Sequence, residues 1–202
     1  MPATGLTPRQ LVRLLLALGI GGYGFVRLAT PAHWDLLDDV NLALHEAGHV
    51  LFQPFGDPLV VLGGSLFQVM VPLAFVGYFL VRRDRFSASV VMAWVGASLA
   101  NVALYIADAR AQELPLLGGE NVIHDWWYLL IEWDLLSSDL AIARWVRLAG
   151  ALAFVVSVAG GIAFAREARN PTSPQAGSRA DSRVSSGRSG PPSSSHSRGS
   201  LQ

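Results

Sequence analysis

Apolar residues in this chain gather into runs. Leu11–Ala29, Leu59–Val81, Ser87–Ala107 and Ala141–Ala165 are long and weakly charged, and each approaches or exceeds the ~20 residues that cross a bilayer. Two shorter apolar runs carry polar groups at intervals, from Asp38 to Gln53 and from Val122 to Leu136. At 1.5 Å per residue the first reaches about 24 Å, short of a hydrocarbon core of about 30 Å. The pattern predicts an all-α integral membrane protein: about four full transmembrane helices plus two short or re-entrant helices. Pro54 and Gly56 end the first short helix, and Asp35, Asp38 and Asp39 suit the positive end of its dipole. Val60-Val61-Leu62 reads as a short extended segment, with a turn at Gly63-Gly64 where another backbone can approach closely. The small residues Gly96, Ala97, Ser98 and Ala100 suit close helix packing in the third span. Trp126, Trp127, Tyr128 and Trp133 suit the headgroup level, with Glu132 and Asp134 on an interfacial face.

Composition strengthens the membrane reading. The chain is 51% hydrophobic and 15% charged, with mean hydropathy +0.39. Soluble domains carry about 25% charged residues. There is no cysteine, which excludes disulfides and thiolate metal ligands. Residues 166–202 are rich in Ser, Gly, Pro and Arg and too polar to bury a core, which predicts a disordered tail behind a transmembrane domain at 1–165.

Net charge is zero but unevenly placed. Residues 1–165 hold nine arginines against thirteen acids. Carboxylates at membrane depth are costly and tend to be functional. Arg82-Arg83-Asp84-Arg85 is the strongest positive loop, and the positive-inside bias puts it in the cytoplasm with Arg9, Arg13 and the tail. Arg27 and Arg144 run against that bias. The expected location is a prokaryotic cytoplasmic membrane, in contact with lipid and without a nucleic-acid partner.

The chemistry concentrates at His45-Glu46-Ala47-Gly48-His49. Positions i and i+4 of a helix share one face, so both imidazoles can reach one atom. Two neutral histidines and one further ligand make a zinc site with an open fourth position. Glu46 stands beside the first histidine, where a general base is needed. Three such groups in an apolar helix cost several kcal/mol unless paired or metal-bound. Gly48 inside the motif costs about 1 kcal/mol of helix propensity and points to a close backbone neighbour. The third ligand is left open among Asp108, His124 and Asp125, with the His124-Asp125 pair preferred. Capping of a helix by that pair, and a partnership of Asp108 with Arg110, are the plainer readings. Asn101 can bond a peptide backbone or join two helices.

His45-Glu46-Ala47-Gly48-His49, Gly56 and Leu62-Gly63-Gly64 together resemble the site-2 protease family of intramembrane zinc metalloproteases. The resemblance runs over roughly residues 38–125. It implies zinc on His45 and His49, with Glu46 activating water. That family takes its third ligand from an Asp in an Asn-x-x-Pro…Leu-Asp-Gly motif. Here Asn101 and Asp108 have nearly that spacing without the Pro and Gly, and 114–119 has the Pro and glycines without the Asp.

The expectation is a zinc metallopeptidase, with Glu46 as general base, acting on transmembrane or membrane-proximal protein substrates. The alternatives are a divalent-metal carrier or sensor without hydrolysis, and an inactive scaffold. The sequence does not give the oligomeric state.

Overall fold

The structure is a computed structural model, and it describes residues 6–115, 117 and 122–167. The tail expectation for 168–202 lies outside the described residues. Among those residues the protein is all-α and has no strand. Its helices are α1 (Pro8–Ala29), α2 (Leu36–Phe52), α3 (Asp57–Val81), α4 (Arg85–Ala107), α5 (Asp125–Glu132) and α6 (Asp139–Phe164). Four helices are long and apolar enough to cross a membrane: α1, α3, α4, and α6 with the turn that precedes it. The 17 residues of α2 and the 8 of α5 are the two short helices.

Local chemistry sets most of the boundaries. Thr7 caps α1 in a reciprocal pair with Gln10, 2.9 Å one way and 3.3 Å the other. Asp35 caps α2 by accepting from Leu37 N–H at 2.8 Å, and Asp38 returns a bond to Asp35 N–H at 3.0 Å. Between α2 and α3 the chain reverses at Gly56, whose φ of 87° suits a residue without Cβ.

The extended segment expected at 60–62 is not there. The α3 helix runs unbroken from Asp57 through Gly63-Gly64, and Pro72 sits buried inside it. Glycine is costly in a helix only when nothing repays the lost side chain. Here closeness repays it. A Cβ on Gly48 would collide with the Gly63 carbonyl, and one on Gly63 would lie 2.7 Å from Phe52 Cβ. The glycines therefore lock α2 onto α3.

Helix α4 is the most enclosed and packs on α6 through small residues. A Cβ on Gly150 would lie 3.0 Å from the Gly96 carbonyl, and Ser157 Oγ donates to the Ser89 carbonyl at 2.6 Å. Such contacts suit a bundle in lipid, where helices gain by close packing rather than by hiding apolar surface. The outward side chains fit that setting: Phe25, Leu152 and Val155 are more than 60% exposed. Leu129 and Leu130 of α5 are buried with Val102 and Ile106 of α4, which fixes α5 across the top of α3 and α4. Trp126 departs from its expected headgroup position. It is buried, and its Nε1 donates to Ser65 Oγ at 3.0 Å.

Candidate metal centre

Helices α2 and α5 bring three donor atoms to one point against α3. His45 Nε2 lies 2.8 Å from Asp125 Oδ2, and His49 Nε2 lies 3.2 Å from the same oxygen. The two imidazoles meet edge to face with centroids 4.8 Å apart. The i, i+4 spacing on α2 aims both rings at α3, and α5 begins with Asp125 directed at them. Among the described residues this trio is a possible metal-binding group.

The opposite ring nitrogens are already engaged. His49 Nδ1 lies 2.9 Å from the Val60 carbonyl, which can only accept, so Nδ1 carries the proton. His45 Nδ1 lies 3.0 Å from Gln68 Oε1. The Gln68 amide nitrogen donates to Asn101 Oδ1 at 3.1 Å and to the Ser98 carbonyl at 3.4 Å, which turns its oxygen toward His45. Both Nε2 atoms are therefore lone-pair donors in the neutral rings, and they face a carboxylate oxygen. Such a group of acceptors needs a cation between them, a proton or a metal ion. Outer hydrogen bonds to the far ring nitrogens are the usual support for ligating histidines.

Space is kept for that cation. A Cβ on Gly64 would lie 2.7 Å from His45 Nε2 and 2.8 Å from His49 Nε2. Donor set, tautomers and space all fit zinc. Gly64→Ala should lower bound zinc steeply while the helical circular dichroism stays unchanged. Gly77→Ala, which meets nothing within 4 Å, is the control. Equal zinc in both variants would refute this use of Gly64.

The electrostatics follow from the same contacts. The hydrogen bond that a protonated His49 donates to the Asp125 carboxylate, against the opposing effect of burial, pushes the His49 pKa up to about 9. Burial would raise Asp125, but its bonds to His45 and His49 outweigh that and hold its carboxyl below the usual range. Zinc needs His49 deprotonated, so its affinity should climb about tenfold per pH unit until pH reaches about 9 and then level off. Competition with a chelating dye, corrected for the dye's own protonation, measures this. A flat response between pH 6 and 8 would count against it.

Asp108 and His124 do not join the trio. Asp108 accepts from the Glu113 and Leu114 backbone N–H groups at 2.9 and 3.1 Å, closing the turn after α4. His124 caps α5: its Nδ1 accepts from Trp127 N–H at 3.3 Å, and its Nε2 faces Asp108 Oδ2 at 3.4 Å. Burial lowers its pKa, which keeps the ring neutral, with Nδ1 committed to the cap. Arg110 pairs with Asp139 at 2.7 Å rather than with Asp108. The chain matches no family model, no curated protein and no solved structure.

Glu46 sits one residue after His45, exposed, without a hydrogen bond or ion pair to the described residues. It adds to the field that raises His49. Tyr105 closes the other flank. Its hydroxyl accepts from Asp125 N–H at 3.2 Å, and its ring contacts both His45 and His124.

A buried chain of polar groups lies behind His45. From Gln68 it passes to Asn101, whose Nδ2 donates to Asp38 Oδ1 at 3.1 Å. Asp38 in turn pairs with Arg27 at 2.7 Å, with both side chains almost fully buried. Gln68 has no role that motif or spacing in the sequence marks. The available signal was a lone amide inside a 25-residue apolar helix.

Proposed function

We propose that this protein is a membrane-embedded zinc metallopeptidase. His45, His49 and Asp125 would hold the metal, and Glu46 would serve as general base. The observation that carries the reading is the meeting of two Nε2 lone pairs on one carboxylate oxygen beside a free glutamate. Zinc, when bound, lowers the pKa of water and polarises a carbonyl.

The chain's own groups do the rest. Gln68 Oε1 and the Val60 carbonyl hold the two Nδ1 protons, so neither ring can turn its Nε2 away. Asp125 balances charge in a site where burial makes an unpaired charge costly. Glu46 is free to take a proton from water at its carboxylate and return it to the leaving nitrogen. Peptide segments of transmembrane or membrane-proximal proteins suit a site held among helices at membrane depth.

Glu46→Gln tests the assignment. Hydrolysis of a membrane-anchored peptide should fall by about 10²–10⁴-fold. Zinc content should stay at the wild-type level, because Glu46 contributes no ligand. Loss of zinc in this variant would make Glu46 a ligand and favour a non-hydrolytic metal carrier or sensor.

A further inference from the structure

The two ends of the bundle differ in charge and in chemistry. The starts of α1 and α4 meet the end of α6: Arg13 donates to the Glu167 carbonyl at 2.9 Å, and Arg85 pairs with the Glu167 carboxylate at 3.4 Å. This end and the turn after α3 carry six arginines against two acids.

The opposite end carries four arginines against eleven acids among the described residues. Two of those arginines, Arg27 and Arg110, are held in ion pairs with Asp38 and Asp139. Orientation follows Lys and Arg far more than Asp and Glu. Among the described residues six arginines therefore stand against four.

The metal trio belongs to the acidic end. Gln68, behind His45, lies 13 residues from the end of α3 at Val81, about 20 Å along the axis. Val60, behind His49, lies 21 residues from it, about 32 Å. Tyr105, bonded to Asp125, is at the far end of α4. The trio thus sits in the half of the membrane away from the Arg82–Arg85 turn. Beside Glu46 on the same stretch of chain, Val50, Leu51 and Phe55 are each more than half exposed. They form an apolar rim that reaches toward lipid.

We propose that the metal centre faces the extracytoplasmic side. Its substrate would be the extracytoplasmic juxtamembrane segment of a membrane-anchored chain. The orientation stands on arginine placement alone, and the substrate class rests on the hydrolytic reading above. A segment leaving the outer leaflet meets Glu46 across the apolar rim without crossing the bilayer. A cytoplasmic segment would have to pass about 20 Å of packed helix first.

The absence of cysteine allows a direct test. Ala111→Cys and Ser137→Cys mark the acidic end. Leu6→Cys and Arg82→Cys mark the arginine end. All four positions are exposed. A membrane-impermeant maleimide on intact cells should label the first pair and leave the second unlabelled until the membrane is permeabilised. The reverse pattern overturns the orientation. Two co-expressed single-span reporters, tagged on their extracytoplasmic or cytoplasmic juxtamembrane segment, test the substrate class. Cleavage of the first alone supports it, and cleavage of the second overturns it. Cleavage of neither, with the expected labelling, sinks the hydrolytic reading and leaves the orientation standing.

Discussion

Asp125→Ala is expected to leave the purified protein without stoichiometric zinc, whereas Asp108→Ala and His124→Ala retain it. Outer-shell partners of a metal site cost about 10–100-fold in affinity when removed, and loss of a direct ligand should exceed that. Asp125 places one oxygen against both Nε2 atoms, so its removal leaves two lone pairs with no anionic partner. Asp108 and His124 spend their donors and acceptors on a turn and a helix cap. Their loss should lower stability by about 1 kcal/mol each, the worth of an ordinary cap. Elemental analysis of the three variants beside His45→Ala decides the matter. Zinc retained by Asp125→Ala, or lost from either of the other two, would overturn the ligand assignment.

The second large effect is expected at Asp38, which is not a ligand. Arg27 and Asp38 are both almost fully buried and pair at 2.7 Å. Truncating one partner leaves the other charge unpaired, which costs about 3–5 kcal/mol. Asp38→Ala should therefore lower the midpoint of thermal unfolding in detergent more than any other surface-distant substitution named here. It should also weaken zinc binding, because Asn101 loses its acceptor and Gln68 loses a fixed neighbour behind His45. Replacing both charges, Arg27→Met with Asp38→Leu, removes the unpaired charge. The double variant should recover stability but not the zinc affinity. Recovery of both would show that the relay does not position His45.

Gly64, the pH response of zinc affinity and Glu46 probe the same centre from other directions. Gly64 tests its space, the pH response its proton, and Glu46 its chemistry. Each fails independently of the others, because a carbonyl-fixed tautomer needs no free volume and neither needs a general base.

Much of this molecule was readable before its tertiary structure. Runs of ~20 apolar residues cannot lie anywhere but in a bilayer or a large core, so four spans and two short helices followed from length and hydropathy. The i, i+4 histidines fixed a two-imidazole face for the same geometric reason. Capping by Asp35 was also local, its carboxylate acting two residues away, and a glycine inside α2 signalled a close neighbour without saying that Gly63 would be it.

What sequence spacing left open was decided by packing. Gly63-Gly64 read as a break, because glycine's backbone freedom is a local property. Tertiary contact made it a helix-to-helix seam and placed Gly64 against the two imidazoles. Along the chain Asp108, His124 and Asp125 all stay candidates, with the His124-Asp125 pair preferred. Only the placement of α5 over α3 and α4 turned Asp125 toward the two rings and spent the other two elsewhere. Gln68 and Asn101 are isolated amides in separate apolar helices, and they gained a joint role when those helices met. Hydrophobic period and motif are properties of neighbours in sequence, whereas the third donor and its supports come from residues up to 80 positions apart, which only the folded bundle brings within bonding distance.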